Sequence, residues 1–393
     1  VPDEVNQVCQ LNKSESKGTQ CGTGRLKHSL AISFTAAAIT GLILFFLVGR
    51  GDFSSAHLAI TAFIVIVGTV MTFFMLWTGR VNLLRMVTFV GMDGLIFTIA
   101  FCLEHEVHRG SILLTDQVMN STGAPICPIT IPFVAVPYFT EGKMVFPSPV
   151  TSLFAILFMW LGLVLILGRG WCGWICFFGW MDQFFASLLK KPIISLENPP
   201  KWAKLFPYAL MLFLILVSAV FLIPVFCAFM CPLRIIYDPP GVTTTFQWIT
   251  ALIFVTGGLI FLVIGPLLTK KRLFCSFICP LMPANTLIGI INPFKVKIDT
   301  SLCKKCGLCV KSCEMFAITK ESLAKGKTTI ECAKCGKCMD KCPAGAIDYK
   351  LMFTDQRIRL CFIPLAVIFN LLIVSGFIWM IVHYLITGEI GSF

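Results

Sequence analysis

The chain reads as an all-α polytopic membrane protein of about seven transmembrane helices, with a small cysteine-dense α+β domain inserted near its C-terminal end. Three observations predict this. Of 393 residues, 57% are hydrophobic and 13% charged, and the mean hydropathy is +0.86, far above a soluble mixture. The apolar residues gather into seven segments, each near the ~20 residues that a bilayer crossing needs. Eight of the nineteen cysteines fall within 303–342, in two runs of identical spacing.

The elements follow in order. Residues 1–29 hold Ser, Lys, Gly and Thr without a packing pattern and read as an inner-face tail. A membrane domain, 30–294, carries six spans near 30–49, 57–77, 85–103, 150–168, 205–223 and 246–268. Segment 171–189 is apolar but contains Asp182 and Gln183, with Arg169, Lys190 and Lys191 at its flanks. It is expected to be an amphipathic or half-inserted element on the inner face. The cysteine-dense domain occupies 295–350. Residues 351–393 carry the seventh span, near 360–386.

The first cysteine run is Cys303, Cys306, Cys309 and Cys313; the second is Cys332, Cys335, Cys338 and Cys342, followed by Pro343. This is C-x2-C-x2-C-x3-C twice, the spacing that wraps a [4Fe-4S] cluster, with the fourth cysteine of each run serving the other cluster. The expected ligand sets are therefore Cys303, Cys306, Cys309 with Cys342, and Cys332, Cys335, Cys338 with Cys313. Structural zinc wants two separated pairs instead. The domain reads as a two-cluster ferredoxin, and electron transfer becomes the working function. Glu314 stands where the first run would normally have proline, a change expected to touch packing and potential but not ligation. Such cysteines need a reducing compartment, which places the domain on the cytoplasmic side.

Charge supports that orientation. With the N-terminus inside, 28 of the 32 Lys and Arg lie on inner segments and four on outer ones. Without the ferredoxin domain and its flanks the ratio is still 11 to 4. The net charge of +12 is explained by this bias, and no nucleic-acid partner is expected. The expected location is the inner membrane of a prokaryote.

Three further pairs repeat C-x3-C: Cys172 with Cys176, Cys227 with Cys231, and Cys275 with Cys279. Residues four apart share a helix face, so each pair could present two thiolates to one metal or cluster. Cys172, Cys176, Cys275 and Cys279 fall on the inner side and make one candidate site. Cys227 and Cys231, with Cys102 and Cys127, fall on the outer side and make a looser one. Inert buried cysteines and an outer disulfide are the alternatives.

Gly168-Arg169-Gly170-Trp171-Cys172-Gly173-Trp174-Ile175-Cys176, then Lys271-Arg272-Leu273-Phe274-Cys275-Ser276-Phe277-Ile278-Cys279-Pro280, then the double run, resemble the NapH/NosR/CcoG group of membrane polyferredoxins. The resemblance covers roughly residues 150–350. It implies a cytoplasmic ferredoxin on a helical anchor that exchanges electrons with the quinone pool or a partner enzyme, as a quinol dehydrogenase subunit does. The chain departs from the pattern in Phe177, where proline is usual, in the third pair, and in the span after the ferredoxin domain. Its first three spans and the loop 104–150 match no motif of the group.

Asp93, between Gly91-Met92 and Gly94 in the third span, is a candidate for proton relay or quinone binding. Glu104, His105 and His108 at the outer end of that span could bind a metal or accept protons. Each also has a plainer reading, as a hydrogen-bonded structural aspartate and an interfacial polar cap. The apolar, proline-rich loop 104–150 is a candidate docking surface for an outer-face partner. The chain has no C-x-x-C-H and no histidine pair placed for haem, so no haem is expected. The sequence thus predicts an electron-transfer subunit working with other redox subunits between a quinone or cytoplasmic donor and an outer-face acceptor. A copper-related accessory factor and a subunit of an ion-translocating complex stay open as alternatives.

Overall fold

The computed structural model describes residues 18–48, 55–107, 153–221, 245–353 and 357–387, with positions 225, 226 and 230 between them. Helix α1 (Gly18–Ile43) begins inside the segment expected to be a tail and continues through a π-helical turn, Leu44–Val48. α2 (Ser55–Thr78) packs back along it. α3 runs without a break through Val81–Arg85, Met86–Met92 and Asp93–Val107. α4 (Leu153–Leu167), α5 (Gly170–Trp174), α6 (Phe177–Leu188) and α7 (Lys201–Phe221) follow. α8 joins Thr245–Leu259, Ile260–Ile264 and Gly265–Thr269. A π-helical turn, Phe274–Ile278, then precedes α9 (Leu281–Ile288).

Among the described residues, five helical stretches are long and apolar enough to cross a membrane: Leu26–Phe46, Leu58–Thr78, Val81–Ala100, Lys201–Phe221 and Arg359–Ile386. Among the described residues, the fourth and sixth expected spans are represented by the shorter apolar helices Leu157–Leu167 and Thr256–Thr269. Phe34, Phe46, Ile66, Leu95 and Phe213 point outward and exposed, the pattern of helices whose surroundings are hydrocarbon.

Segment 171–189 departs from expectation. It is broken into α5 and α6, and its polar side faces the protein. Asp182 and Gln183 are buried because both find partners inside: Asp182 accepts the Cys275 backbone N–H at 2.8 Å, and Gln183 accepts from Arg85 at 2.8 Å. The outward side carries Phe184 and Leu188. An interfacial helix would be the other way round.

The cysteine-dense domain is built on β1 (Phe294–Ile298) and β2 (Ile347–Leu351), antiparallel, with Val296 opposite Tyr349. Between them lie the short helices α10 (Leu308–Ser312), α11 (Lys320–Ala324) and α12 (Lys337–Lys341), with α10 packed on α12. Tyr349 is fully buried, stacks on Phe362 with ring centroids 4.3 Å apart, and donates to the Lys334 carbonyl at 2.8 Å. Phe362 belongs to α13 (Arg359–Thr387), which packs against α1, α2 and α3.

The domain and the membrane helices cap one another. Helix ends leave backbone groups without partners, positive at the N-terminus and negative at the C-terminus. The Asp340 carboxylate accepts from the N–H groups of Val81, Asn82 and Leu83 at 2.9–3.1 Å, closing the start of α3. Lys334 donates to the Leu167 carbonyl at the end of α4 at 2.8 Å, and Asn292 donates to the carbonyls of Leu165 and Ile166 beside it. In the other direction Lys271 donates to the carbonyls of Lys311 (3.0 Å) and Cys313 (2.7 Å) at the end of α10. Asp340→Ala is expected to cost about 1–2 kcal/mol, the upper range for an N-cap. It should lower the thermal unfolding midpoint and expose the domain to limited proteolysis; an unchanged protein on both counts would show that the cap contributes nothing.

Candidate metal centres

The two runs fold alike because both need the same backbone reversals. Gly307 and Gly336 lie at φ +72° and +78°, where a side chain is disfavoured, and start α10 and α12. Lys305 and Lys334 also take positive φ, at 53° and 52°. The loops therefore curl around their own cysteines. One cavity is lined by Cys303, Cys306, Cys309 and, from the other run, Cys342, with Ile298 and Leu323 on its apolar wall. Cys332, Cys335, Cys338 and Cys313 form a second group within electrostatic reach of one another.

A third group joins the two C-x3-C pairs. Cys172, Cys176, Cys275 and Cys279 are mutually close, although about a hundred residues separate the pairs. The expected shared helix face is not how this happens. Cys172 sits in α5, but Cys176 is extended (φ −69°, ψ 128°) between α5 and α6. Cys275 lies in the π-helical turn, and Cys279 is extended (φ −62°, ψ 117°) after it. For Cys279 the cause is Pro280, since a residue before proline avoids the helical region.

The ferredoxin runs end the same way. Cys313 (φ −69°, ψ 115°) and Cys342 (φ −83°, ψ 109°) are extended residues closing α10 and α12. The last five positions of each run, C-x3-C, are thus repeated in the membrane pairs, in spacing and in the extended backbone of the second cysteine. The sulfur environments match too. The Ala317 N–H donates to Cys313 Sγ at 3.2 Å and the Ala346 N–H to Cys342 Sγ at 3.4 Å. Backbone N–H groups of Phe178 and Gly179 face Cys176, and those of Leu281 and Met282 face Cys279. Such donors stabilise a thiolate.

Three of the four cysteines of the third group are buried, Cys172, Cys275 and Cys279 each at most 6% exposed, and Cys176 is partly exposed. Burial pushes the Cys176 thiol up to about 12 and lifts Cys275 and Cys279 well above the ordinary thiol range. Unliganded, all three would be protonated; a metal centre binds the thiolate form and displaces the proton. Among the described residues, no three Cys, His, Asp or Glu side chains converge as ligands to a single ion do.

The second and third groups touch. Cys275 packs with Met315, Ala317 and Ala333 against Cys313 and Cys332. The approach needs Gly173, where a Cβ would lie 2.3 Å from the Ala333 carbonyl oxygen. Trp174 crosses the same seam, donating from Nε1 to the Lys334 carbonyl at 3.1 Å. The seam is strongly cationic. Among the described residues Arg85, Arg169, Lys271, Arg272 and Lys334 are buried, against Asp93, Asp182 and Glu314. Glu314 bridges Arg272 (3.2 Å) and Lys337. Burial alone would raise its carboxyl, but those two cations outweigh it and hold the group below the usual carboxylate range. An anionic cluster is the kind of group such a surplus of buried cations fits.

Asp93 is fully buried in α3. One oxygen accepts from Asn370 Nδ2 at 2.7 Å, and the same amide donates to the Trp174 carbonyl at 2.7 Å. The other oxygen has no hydrogen-bond partner. A small cavity beside Asn370 is lined by Gly68, Thr88, Phe89 and Trp174. Sequence reasoning passed over Asn370, although a lone amide in the apolar segment 360–386 was a signal. The candidates Cys127, His108, Cys227 and Cys231 lie outside the described residues; Cys102, Glu104 and His105 fall on the last turns of α3, with side chains outside them.

The family described as a 4Fe-4S dicluster domain matches residues 302–347. The family described as a 4Fe-4S binding domain matches three times, over 149–194, 204–242 and 250–298. Each of those three stretches contains one C-x3-C pair. No curated protein and no solved structure matches the chain. The chain is an iron–sulfur electron-transfer protein carrying 4Fe-4S ferredoxin domains beside helices of membrane-crossing length. Cys338→Ala is expected to remove one ferredoxin cluster signal from the EPR spectrum of the reduced protein; a spectrum identical to wild type would break the assignment of the second group.

Proposed function

We propose that the chain is a membrane-anchored electron-transfer subunit of the NapH/NosR/CcoG type, with three [4Fe-4S] sites in series. Cys303, Cys306, Cys309 and Cys342 hold the outermost. Cys332, Cys335, Cys338 and Cys313 hold the next. Cys172, Cys176, Cys275 and Cys279 hold the one set against the membrane helices. Each cluster supplies a one-electron site when bound. The observation that carries the reading is the third group: two distant C-x3-C pairs meet in the backbone form of a ferredoxin run, in contact with the second group.

The protein's own residues supply the rest. Gly173 and Ala333 let the backbones approach, and the apolar packing around Cys275 keeps water out of the contact. Backbone N–H groups hold the sulfurs as thiolates. Asp93, tied through Asn370 to the Trp174 carbonyl, is the group to exchange a proton when a quinol or quinone reacts in the bundle. The match of the third group's backbone to a ferredoxin run favours an electron carrier over a copper-handling factor. In this reading the ferredoxin domain faces the cytoplasm, the donor is the quinone pool or a cytoplasmic protein, and the acceptor is a partner at the outer face.

Two measurements test this. The full chain, reconstituted under anaerobic conditions, should contain about twelve iron atoms, and Cys279→Ser about eight; about eight in the wild type would mean that the third group is empty. Asp93→Asn should slow cluster reduction by a soluble quinol at least tenfold while dithionite reduction is unchanged. Equal quinol rates in variant and wild type would remove Asp93 from the scheme.

A further inference from the structure

Glu314 stands where the second run has Pro343, and the two positions have different surroundings. Pro343 is exposed, whereas Glu314 is buried in the seam facing the membrane helices. Glu314 grips Arg272 twice: its carboxylate accepts from Nε at 3.2 Å, and its backbone carbonyl accepts from the Arg272 N–H at 3.0 Å. Arg272 is itself fully buried and reaches the other way, donating from Nη1 to the Cys172 carbonyl at 3.0 Å. One guanidinium therefore touches the residue after Cys313 in the second group and the backbone of Cys172 in the third. Cys335 of the second group and Cys275 of the third both lie within its electrostatic reach. Its Nη2 is buried without a partner.

We propose that Arg272, held in place by Glu314, is a positioning residue that links the second and third cysteine groups and favours reduction of the centres they hold. A cation fixed in a dry seam stabilises an added electron on a nearby centre. Lysine would supply the charge without the planar fork that spans Glu314 and Cys172 together. Glu314 holds the fork in register and also offsets part of its charge, assisted by Lys337 on its other oxygen. The pair thus sets both the distance across the seam and the balance of charge there. The proposal rests on the reading that the third group binds a cluster, but Arg272 faces the second group as well, so its effect is legible on two signals.

The test is an EPR-monitored redox titration of the full-length protein in detergent. Arg272→Gln removes the cation and should make reduction of the neighbouring centres about tenfold less favourable, which is about 59 mV downward for one electron. Glu314→Gln removes the offsetting anion and should shift the same potentials upward. A purely structural pair would move both variants in one direction or lose signal in both. Shifts of opposite sign support the proposal; shifts of the same sign, or none with clusters intact, overturn it. Should Arg272→Gln fail to assemble, Arg272→Lys keeps the charge: potentials near the wild type with a weakened spin–spin interaction between the centres support the proposal, and an unaltered interaction overturns the linking role. A wild-type iron content of about eight would instead defeat the third cluster, leaving Arg272 to be judged on the second group's signal alone.

Discussion

A buried guanidinium must be met by opposite charge or by carbonyls, because the desolvation cost of an unmatched ion is several kcal/mol. The seam between the helices and the ferredoxin domain buries Arg85 and Arg272 completely, and the rest of the architecture follows from how they are met. Arg85, near the start of α3, donates to the Cys335 carbonyl at 3.0 Å, to the Gly173 carbonyl and to Gln183. It thereby fixes three elements against one another: a membrane helix, the second ferredoxin loop and the break before α6. Gln183 has to turn inward to serve it, which is why the polar side of α6 faces the protein. Arg272 does the same for the third cysteine group through Glu314 and Cys172. Removing one partner from a buried ion pair such as Arg272–Glu314 typically costs about 3–5 kcal/mol, so that contact helps define the docked arrangement.

The cationic seam also gives a second meaning to the charge asymmetry of the chain. Lys and Arg near the ends of spans are a topological signal. Here several of those cations are not at a lipid surface at all. Arg85 and Lys271 meet carbonyls of the domain, and Lys334 of the domain meets the end of α4. The same residues can serve orientation and, once the domain is present, its attachment.

What the sequence revealed depended on how local the determinant was. The double cysteine run is a spacing code, and the loops that shape it need only Gly307 and Gly336, so it could be read outright. The long apolar helices were readable for the same reason, with the fourth and sixth segments shorter among the described residues than their composition suggested. The inner grouping of Cys172, Cys176, Cys275 and Cys279 was inferred from topology, but its means was misjudged. Helical spacing suggested a shared face, whereas Pro280 and the break before Phe177 put the second cysteine of each pair into an extended conformation. Segment 171–189 looked amphipathic in the ordinary sense because nothing local says that Asp182 and Gln183 have partners ninety residues away. Arg85, Asn370 and Asp340 were silent for that reason too: each acts through a partner far along the chain.

The Asp340 cap on α3 bears on the order in which the molecule is made. Its carboxylate closes a helix start 259 residues upstream. During synthesis, α3 is therefore completed long before the group that satisfies its first three N–H donors exists. The Leu167 carbonyl end of α4 waits in the same way for Lys334. Until residues 303–342 are made and folded, these two helix ends lack the partners the folded chain gives them. Docking of that domain supplies both missing partners together, and it packs Cys313 and Cys332 against the apolar cluster that contains Cys275. Capping of α3 and of α4 and the packing of the domain beside Cys275 are thus one event, set by a single docking step.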